Sequence, residues 1–568
     1  MPPSIPLQAV ADQTNRQARQ RARQSVSWPL NLAPESVDFD SQGHLLLIGS
    51  ELDVRRAARR LSGRLDSLTL LVVTASDAAA DEDLDALFQD TETLPCFTAP
   101  RGTRPRLEGY LGRFSLMLDL ADRGPASLAR AAQGREHFDL VLDLAPTPCL
   151  DLELPPPGYH ATRWGSADCE RLLGELPTYR GAFQAPRPLR LDSDRCAHHR
   201  HGKPGCDRCL EACPADAITR RQGRVSAWIE VDPHRCHGSG GCTSVCPTGA
   251  LGYHQPTAEA LETHIQALLD GYRDAGGQHP VVRFIDRQRQ AAESDEPAGH
   301  VLDMPLEELG AAGLDSWLAA LAAGAAEVRL QDSPALTPGQ RRLLESQLTQ
   351  ARELVAALGH APERLGWCHD SSDRDALPRA LALEAPAAPW SVEPDKRSRL
   401  NRALGRLAEL GRPSGHRHAL PGDAPFGGLH LDGEACTLCQ GCVSACPTPA
   451  LAGGDDDTPR LSFREADCIQ CGLCQASCPE DAIRLAPGFL ASGERERRRV
   501  LKEEPAFACI RCGTPFATAS TIASIKRKLA AHPYFAGEAA RRLEMCEDCR
   551  VRDVWRTLAA DPESQLKV

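Results

Sequence analysis

Cysteine is the residue type in this chain whose number and spacing could do chemistry. Nineteen of the 23 cysteines fall into three groups, which span residues 196–246, 436–478 and 509–549. Because 23 cysteines in 568 residues are too few for a disulfide scaffold, the grouped ones are predicted to be metal or cluster ligands. The others stand alone and are predicted to be small buried hydrophobic residues: Cys96, Cys149, Cys169 and Cys368.

The second group consists of two successive motifs with the same spacing. They are Cys436-x2-Cys439-x2-Cys442-x3-Cys446-Pro447 and Cys468-x2-Cys471-x2-Cys474-x3-Cys478-Pro479. This spacing suits an iron-sulfur cluster. Two-residue gaps let one loop present three thiolates to three irons of the cluster, with its backbone NH groups turned toward the sulfides. Structural zinc and disulfides are the alternatives, and the doubling of the motif argues against both.

The first group departs from this spacing twice. Nine residues separate Cys196 from Cys206 where two are usual, after which the motif continues as Cys206-x2-Cys209-x3-Cys213-Pro214. In the next motif, Cys236-x5-Cys242-x3-Cys246-Pro247, a serine stands at position 239 where a cysteine belongs. The long loop adds His198, His199 and His201, which are candidates for ligands or proton-coupled groups but are predicted to be solvated polar residues.

The first and second groups resemble the bacterial dicluster ferredoxins, over residues 196–251 and 436–484. In that family the fourth cysteine of each motif ligates the cluster of the other motif, and the resemblance implies three [4Fe-4S] clusters and a fourth, incomplete site. The implied ligand sets are Cys196, Cys206, Cys209 and Cys246; Cys213, Cys236, Cys242 and the Ser239 position; Cys436, Cys439, Cys442 and Cys478; and Cys446, Cys468, Cys471 and Cys474.

Ser239 leaves its set with three thiolates. A hydroxyl is much harder to deprotonate than a thiol, and its oxygen is a harder donor than iron in a sulfide cage prefers. Seven-iron ferredoxins, which this motif resembles, carry a [3Fe-4S] cluster at such a position, so the resemblance implies that cluster or a [4Fe-4S] cluster with a labile iron. Serine ligation, an empty site and a cubane completed by water remain alternatives.

The third group forms two knuckle pairs, Cys509-x2-Cys512 and Cys546-x2-Cys549, separated by 33 residues that include a predicted basic helix, Ser520 to Leu529. Four thiolates in two pairs suit tetrahedral zinc in a zinc-ribbon-like module. A fifth iron-sulfur cluster is disfavoured because the x3 spacing and the following proline are missing.

The elements around these motifs predict two small α/β domains. Four short apolar runs mark the strands of the first domain: His44–Ile48, Thr69–Val73, Ser115–Leu118 and Phe138–Leu142. In the second domain we predict a helix over Ala258–Asp274, a strand over Val281–Ile285, and a helix that starts at Thr337-Pro338 and ends near Gly359.

The chain is therefore predicted to be a multidomain α/β plus α+β protein. It would contain two dicluster ferredoxin-like modules, two small α/β domains and a C-terminal zinc-ribbon-like module. The predicted units are an N-terminal tail (1–40), an α/β domain (41–154), the first module (190–256), an α/β domain (257–370), a linker (371–430) with some helix around Lys396 to Leu410, the second module (431–490) and the four-cysteine module (505–555).

Composition and missing motifs restrict the function. A net charge of −12 argues against nucleic-acid binding. No apolar run is long enough for a membrane span and no signal peptide is recognisable, so a cytoplasmic protein with reduced thiols is expected. Since no flavin or nicotinamide fingerprint, nucleophile elbow or P-loop is present, we predict no catalytic residues and no enzyme.

Wider similarity concerns segments outside the cysteine motifs. Phe138–Pro148, Glu153–Tyr159, Gly313–Leu321 and Phe507–Gly513 resemble the polyferredoxin-type 4Fe-4S proteins that accompany formate dehydrogenase genes. His300 to Trp367 is similar to the delta subunit of methyl-viologen-reducing hydrogenase, without its cluster cysteines, so only the fold is implied there.

Two functions follow from these resemblances. The leading one is an electron carrier that relays electrons through several [4Fe-4S] clusters to or from a partner oxidoreductase, with formate dehydrogenase as the implied partner. The alternative is an assembly or maturation factor that docks on a molybdenum or tungsten enzyme and uses its clusters for structure or redox sensing.

Overall fold

The computed structural model describes most of the chain. The described residues are 7–27, 35–74, 84–100, 105–120, 124–198, 202–203, 205–224, 226–254, 256–422, 424–454, 458–535 and 538–560. His199 and His201 of the long loop lie outside them. Within these residues no helix is both long and apolar enough to cross a membrane.

The N-terminal part consists of a helix and an α/β domain. Its elements are α1 Leu7–Ser25, β1 Ser36–Ser41, β2 His44–Ser50, α2 Glu51–Leu61, β3 Ser67–Thr74, α3 Leu84–Thr91, β4 Cys96–Thr98, β5 Arg106–Glu108, β6 Ser115–Leu120, β7 Gly124–Ser127, α4 Leu128–Gln133, β8 Leu140–Asp143, β9 Tyr159–Ala161, α5 Ala167–Glu175 and β10 Gly181–Pro186.

Five parallel strands form the sheet of this domain, in the order β4-β3-β2-β8-β9. The predicted end at residue 154 is too early, because β9 extends the sheet beside β8 and α5 buries Cys169 against its core. The predicted strand at Ser115 exists but lies in a separate antiparallel sheet, β5-β6-β7. Of the lone cysteines, Cys169 and Cys368 are buried as predicted, Cys149 is half-buried, and the prediction is wrong for Cys96, which is exposed.

The predicted tail over residues 1–40 is wrong where the structure describes it. Helix α1 places Ala18 and Ala22 in the core of the second α/β domain, since its small residues recur on one face. The buried Arg19 between them donates to the carbonyls of Pro297 and Ala298, at 2.8 and 2.7 Å. Strand β1 then pairs with β10.

The two cysteine-rich modules share a strand plan. The first contains β11 Leu189–Leu191, α6 Arg208–Glu211, β12 Ile218–Gln222, β13 Ala227–Val231, α7 Gly241–Val245 and β14 Leu251–Tyr253; its outer strands β11 and β14 pair, as do β12 and β13.

The second α/β domain follows the first module. It comprises α8 Ala258–Asp274, β15 Val281–Asp286, α9 Arg287–Ala292, β16 Val301–Leu306, α10 Leu314–Ala322, β17 Glu327–Gln331, α11 Pro338–Ala357, β18 Leu365–Cys368, α12 Ser371–Asp375 and α13 Lys396–Leu410. Four parallel strands form its sheet, in the order β16-β15-β17-β18. The helix predicted around Lys396 to Leu410 is confirmed as α13, but its assignment to a linker is wrong, because it buries Leu400, Leu404 and Leu407 in the core of this domain.

The second module and a C-terminal unit complete the chain. The module contains β19 Arg417–His418, β20 Gly427–Leu431, α14 Gly441–Ala445, β21 Leu451–Gly453, β22 Arg460–Phe463, α15 Leu473–Ala476, β23 Ile483–Pro487, β24 Phe489–Leu490 and β25 Arg499–Glu503; the unit contains β26 Ala506–Ala508, β27 Pro515–Thr518, α16 Ala519–Leu529, α17 Glu538–Arg541 and α18 Glu547–Ala560. As in the first module, the outer strands β20 and β23 pair and β21 pairs with β22.

Candidate iron-sulfur and four-cysteine sites

In the second module the eight cysteines converge into two sets. One small cavity is lined by Cys436, Cys439, Cys442 and Cys478, and another by Cys446, Cys468, Cys471 and Cys474. The last cysteine of each motif thus lies with the first three of the other, which is the grouping that the ferredoxin resemblance implies. The chain crosses over because a short helix, α14 or α15, carries each motif's last cysteine away from its loop.

Tight turns aim NH groups at the cysteine sulfurs. Leu438 and Gln470 both have φ of 54°, in the left-handed region that non-glycine residues rarely occupy. The backbone NH of Leu438 lies 3.5 Å from the sulfur of Cys436, and the side-chain amide nitrogen of Gln470 lies 3.2 Å from that of Cys468. Such donors stabilise the thiolate and any negative charge that the sulfurs share.

Three thiols of these sets are hard to ionise on their own. Burial raises the pKa of Cys442, Cys471 and Cys474 to about 12, and the charges of neighbouring cysteines add to the rise. Thiols with a pKa raised in this way become deprotonated only when cations compensate the charge. The donor set, its NH donors and its enclosed position therefore fit an iron-sulfur cluster.

The first module brings its cysteines together in the same way. Cys209 lies near Cys246, Cys206 and Cys196, whose charges, after burial, raise its pKa. Cys242 lies near Cys213 and Cys236, whose charges, after burial, raise its pKa as well. The backbone NH of Ala217 is 3.3 Å from the sulfur of Cys213, as the NH of Ala482 is from that of Cys478 in the other module.

His198 corrects one prediction for the long loop. Its side chain is not solvated but fully buried, and its Nδ1 lies 3.2 Å from the carbonyl oxygen of Cys206. Burial lowers the pKa of this imidazole. The contact fastens the nine-residue loop next to Cys206, so that Cys196 still reaches its set. Sequence alone missed this because His198 stands among polar residues.

Ser239 is half-buried in the loop between Cys236 and α7. Gly238 and Gly240 on either side have φ of 73° and 79°, which a β-carbon would strain. The buried hydroxyl of Tyr253 donates to the carbonyl of Gly238, and burial raises the pKa of Tyr253, so this donor stays protonated. The loop around the missing thiol is therefore tightly held.

Comparison with known proteins agrees with this arrangement. A 4Fe-4S dicluster domain family matches residues 204–250 and 435–482. NADH-quinone oxidoreductase subunit I 2 of Geobacter metallireducens is 34% identical over 91 residues, which cover 14% of this chain and 70% of that protein. The chain belongs to the ferredoxin-type iron-sulfur proteins. Its two dicluster domains imply [4Fe-4S] clusters.

Other ferredoxin-type relatives are matched over shorter shares of their length. A ferredoxin of Streptomyces griseus is 34% identical over 68 residues, 12% of this chain and 61% of the relative. The polyferredoxin-like subunit of aliphatic sulfonate oxidoreductase from Pyrococcus furiosus is 37% identical over 65 residues, 11% of this chain and 36% of the relative. The chain thus spans less than two thirds of both relatives.

The two modules meet where the set that contains Cys206 lies beside the set that contains Cys471. Cys471 of the second module lies close enough to Cys206 of the first for the charge of one thiolate to act on the other. Beside them the ammonium group of Lys203 donates to the carbonyl of Ala476, and a β-carbon on Gly205 would lie 3.2 Å from a methyl carbon of Leu473.

Together with the neighbours inside each module, this contact orders the four cysteine sets in one series. In the first module, Cys209 of one set lies close enough to Cys242 of the other for its charge to act on that thiol. In the second module, Cys442 acts in the same way on Cys474 of the neighbouring set. The series begins at the Ser239 loop, crosses between the modules at Cys206 and Cys471, and ends at the set that contains Cys436.

Helix α13, which the sequence suggested was part of a linker, holds both modules. The ammonium group of Lys396 donates to the carbonyls of Thr243 and Ser244 at 2.9 and 2.8 Å. The next residue, Arg397, donates to the carbonyls of Ala466 and Cys468 at 2.7 and 2.8 Å. Burial lowers the pKa of Arg397 to about 10, which leaves it charged at neutral pH.

The C-terminal unit forms a separate four-cysteine site. The sulfurs of Cys509, Cys512, Cys546 and Cys549 all lie within 4.8 Å of one another. Although burial opposes it, backbone NH groups of Cys546, Cys512 and Arg511 lower the pKa of Cys509 to about 6. Four thiols at this separation fit a tetrahedral metal ion. The C-terminal unit, rather than the site itself, contacts the Cys436 loop, since Thr518 and Thr521 donate to the carbonyl of Thr437 at 2.9 and 2.6 Å.

Proposed function

We propose that this chain relays single electrons through its iron-sulfur sites to or from a partner oxidoreductase. The observation that carries the proposal is the single series of four cysteine sets, which continues across the contact between the two modules. A carrier with two independent modules would need no such contact. The similarity to a ferredoxin and to two oxidoreductase subunits supports the same class of function.

The cysteine sets described above would hold three [4Fe-4S] clusters and, at Cys213, Cys236 and Cys242 beside Ser239, a [3Fe-4S] or labile [4Fe-4S] cluster. Bound clusters supply one-electron redox chemistry. The protein contributes thiolate ligands, NH donors that stabilise the negative charge, and burial that excludes water. No catalytic residue is assigned, because the chemical conversion would take place on the partner.

The Cys509 site would hold zinc. Two pairs of thiols from separate segments close a tetrahedral site, as structural zinc requires. A structural role fits this site, since the metal would hold together the C-terminal unit, whose Thr518 contacts the carbonyl of Thr437 beside the last cysteine set of the series.

Formate dehydrogenase is the proposed partner and the cytoplasm the proposed location. The partner is supported by the sequence resemblance to proteins that accompany formate dehydrogenase genes. To test the function, formate dehydrogenase and formate are mixed anaerobically with the iron-loaded protein in stopped flow. A carrier should lose its visible iron-sulfur absorption at a rate that depends on both proteins.

One result of this experiment and one result from cells would count against the proposal. Loaded protein that dithionite reduces reversibly but formate dehydrogenase does not would favour the maturation factor. If, in addition, cells lacking this protein make and use formate dehydrogenase at the normal rate, both versions of the partnership fail.

A further inference from the structure

Arg397 carries a buried positive charge whose contacts are unusual. Only 4% of the residue is exposed. Its guanidinium donates to the carbonyls of Pro425, Ala466 and Cys468 at 2.9, 2.7 and 2.8 Å, and lies 4.8 Å from the centre of the Phe426 ring. All these partners are neutral groups, so its hydrogen bonds are satisfied while its charge is not.

The carboxylates nearby are engaged elsewhere. Asp467 lies 3.2 Å from Arg464, and Glu496 lies 3.0 Å from Arg464 and also contacts Arg495. Among the residues that the structure describes, none forms an ion pair with Arg397. A buried charge without a counter-charge is costly, and buried charges in proteins are therefore normally paired.

The cysteine set at Cys446, Cys468, Cys471 and Cys474 offers the missing counter-charge. Arg397 binds the carbonyl of Cys468 itself. Four thiolates around iron and sulfide leave a net negative charge, which increases by one on reduction. A fixed positive charge in a buried, low-dielectric environment stabilises the reduced form more than the oxidised form.

We infer that Arg397 raises the reduction potential of the site formed by Cys446, Cys468, Cys471 and Cys474. The inference rests on the proposed electron-transfer function and assigns Arg397 as a positioning and tuning residue within it. The site lies where the two modules meet, so its potential would determine how readily an electron arriving from the first module is accepted. One electron moves between two sites, and no bond is made or broken.

Lys396 provides a matched control on the same helix. It is also buried and also donates to two backbone carbonyls, but these belong to Thr243 and Ser244 of the first module. Its charge has a partner, because Asp315 lies 3.5 Å away. Replacing Lys396 also removes a buried, hydrogen-bonded charge from the start of α13, yet it removes no charge from the Cys468 loop.

The experiment is an anaerobic potentiometric titration followed by EPR, on the iron-loaded full chain and its Arg397→Gln, Arg397→Lys and Lys396→Gln variants. In Arg397→Gln, one transition should move to lower potential by at least a tenfold change in its reduction equilibrium, which is 59 mV for one electron. Arg397→Lys keeps the charge and should leave that transition near its original potential. The transition that shifts in Arg397→Gln should be the same one that Cys446→Ser alters. Lys396→Gln should not change the potential of that transition.

Three results would overturn the inference. The first is an Arg397→Gln protein with full iron content and unchanged transitions. The second is an Arg397→Lys protein that shows the same downward shift. The third is loss of iron from both Arg397 variants, since Arg397 would then serve folding rather than potential. A parent protein without reversible transitions would instead contradict the proposed function itself.

Discussion

Cys206 and Cys471 are 265 positions apart in sequence, yet their thiols lie close enough for one charge to act on the other. This proximity exists because the long loop of the first module reaches the helix α15 of the second. Lys203, in the same loop, donates to the carbonyl of Ala476 at the end of α15. The two modules are therefore joined at the point where an electron would have to cross.

The contact of Lys203 predicts a specific kinetic effect. Replacing it by alanine removes this one contact between the modules, leaves helix α13 to hold them together, and leaves every cysteine in place. We expect slower electron exchange between the modules, unchanged reduction potentials, and a loss of stability of at most about 1 kcal/mol, because the side chain is exposed. Flash photoreduction followed by absorption and EPR measures the exchange.

A matched control for this prediction is Lys526→Ala. Lys526 is another lysine with an exposed surface, and it contacts Glu544 within the C-terminal unit. Equal exchange rates in the parent and Lys203→Ala proteins would show that the contact does not govern transfer.

The sequence predicted those elements whose signals are local. Helix α8 has the predicted bounds, Ala258 and Asp274, because its apolar residues recur with helical spacing. Helix α11 starts as predicted after Thr337, whose side chain forms a capping box with Gln340. The grouping of the second module's cysteines into two sets could also be expected from the sequence, since the spacing is that of a known motif.

Features that depend on distant contacts were not predictable in this way. Arg19 and Arg397 look like surface arginines in sequence, and both are buried on backbone carbonyls from other segments. His198 has polar neighbours but packs inside the module. In each case the local pattern predicts exposure, whereas tertiary packing supplies partners that no spacing reveals.

Glu308 predicts a pH dependence of stability. Burial, with the charges of Asp286 and Glu307, raises the pKa of this carboxyl from 4.5 to about 7. As pH rises from 4.5 toward 7, the unfolded chain loses this proton first, so the folded state is progressively disfavoured and the cost is complete above pH 7. Glu308→Gln should therefore be more stable than the parent by about 2 kcal/mol at pH 8, with a smaller difference at pH 5.5.

Thermal unfolding midpoints of the parent and variant across this pH range test the prediction. The exposed Glu108→Gln serves as the control and should show no comparable gain with pH. A Glu308→Gln advantage of the same size at pH 5.5 and pH 8 would exclude titration of Glu308 as its cause.

The C-terminal site predicts one zinc ion per chain. Cys512 and Cys546 have their sulfurs 3.6 Å apart although they come from different segments, so a metal there joins the hairpin β26-β27 to helix α18. Cys512→Ser should lose most of its zinc and unfold this unit locally, because structural zinc contributes roughly 10–16 kcal/mol in small modules. Metal analysis and limited proteolysis measure the two effects.

Cys96→Ser is the control, since Cys96 is an exposed lone cysteine and its removal should leave zinc unchanged. Full zinc occupancy in the Cys512→Ser protein, or none in the parent, would contradict the zinc assignment.

Ser239 makes the sharpest prediction, because it replaces the fourth thiol of its set. If Cys213, Cys236 and Cys242 alone supply the ligands, as proposed, one iron would be poorly held, and oxidised protein should show the near-isotropic EPR signal of a three-iron cluster. Gly238 and Gly240 already give the loop its turn, so Ser239→Cys should fit without rebuilding it. The variant should lose the signal and gain one iron, from about 15 to about 16 per chain.

Ser226→Cys provides the matched control, because it adds a thiol to the same module in the turn between β12 and β13, outside both cysteine motifs. It should leave both the EPR signal and the iron content unchanged. Serine ligation would instead give a full cubane of low potential, and an empty site would give about 12 irons without a three-iron signal. A parent protein that lacks the signal and already binds about 16 irons would show that Ser239 does not prevent a complete cluster.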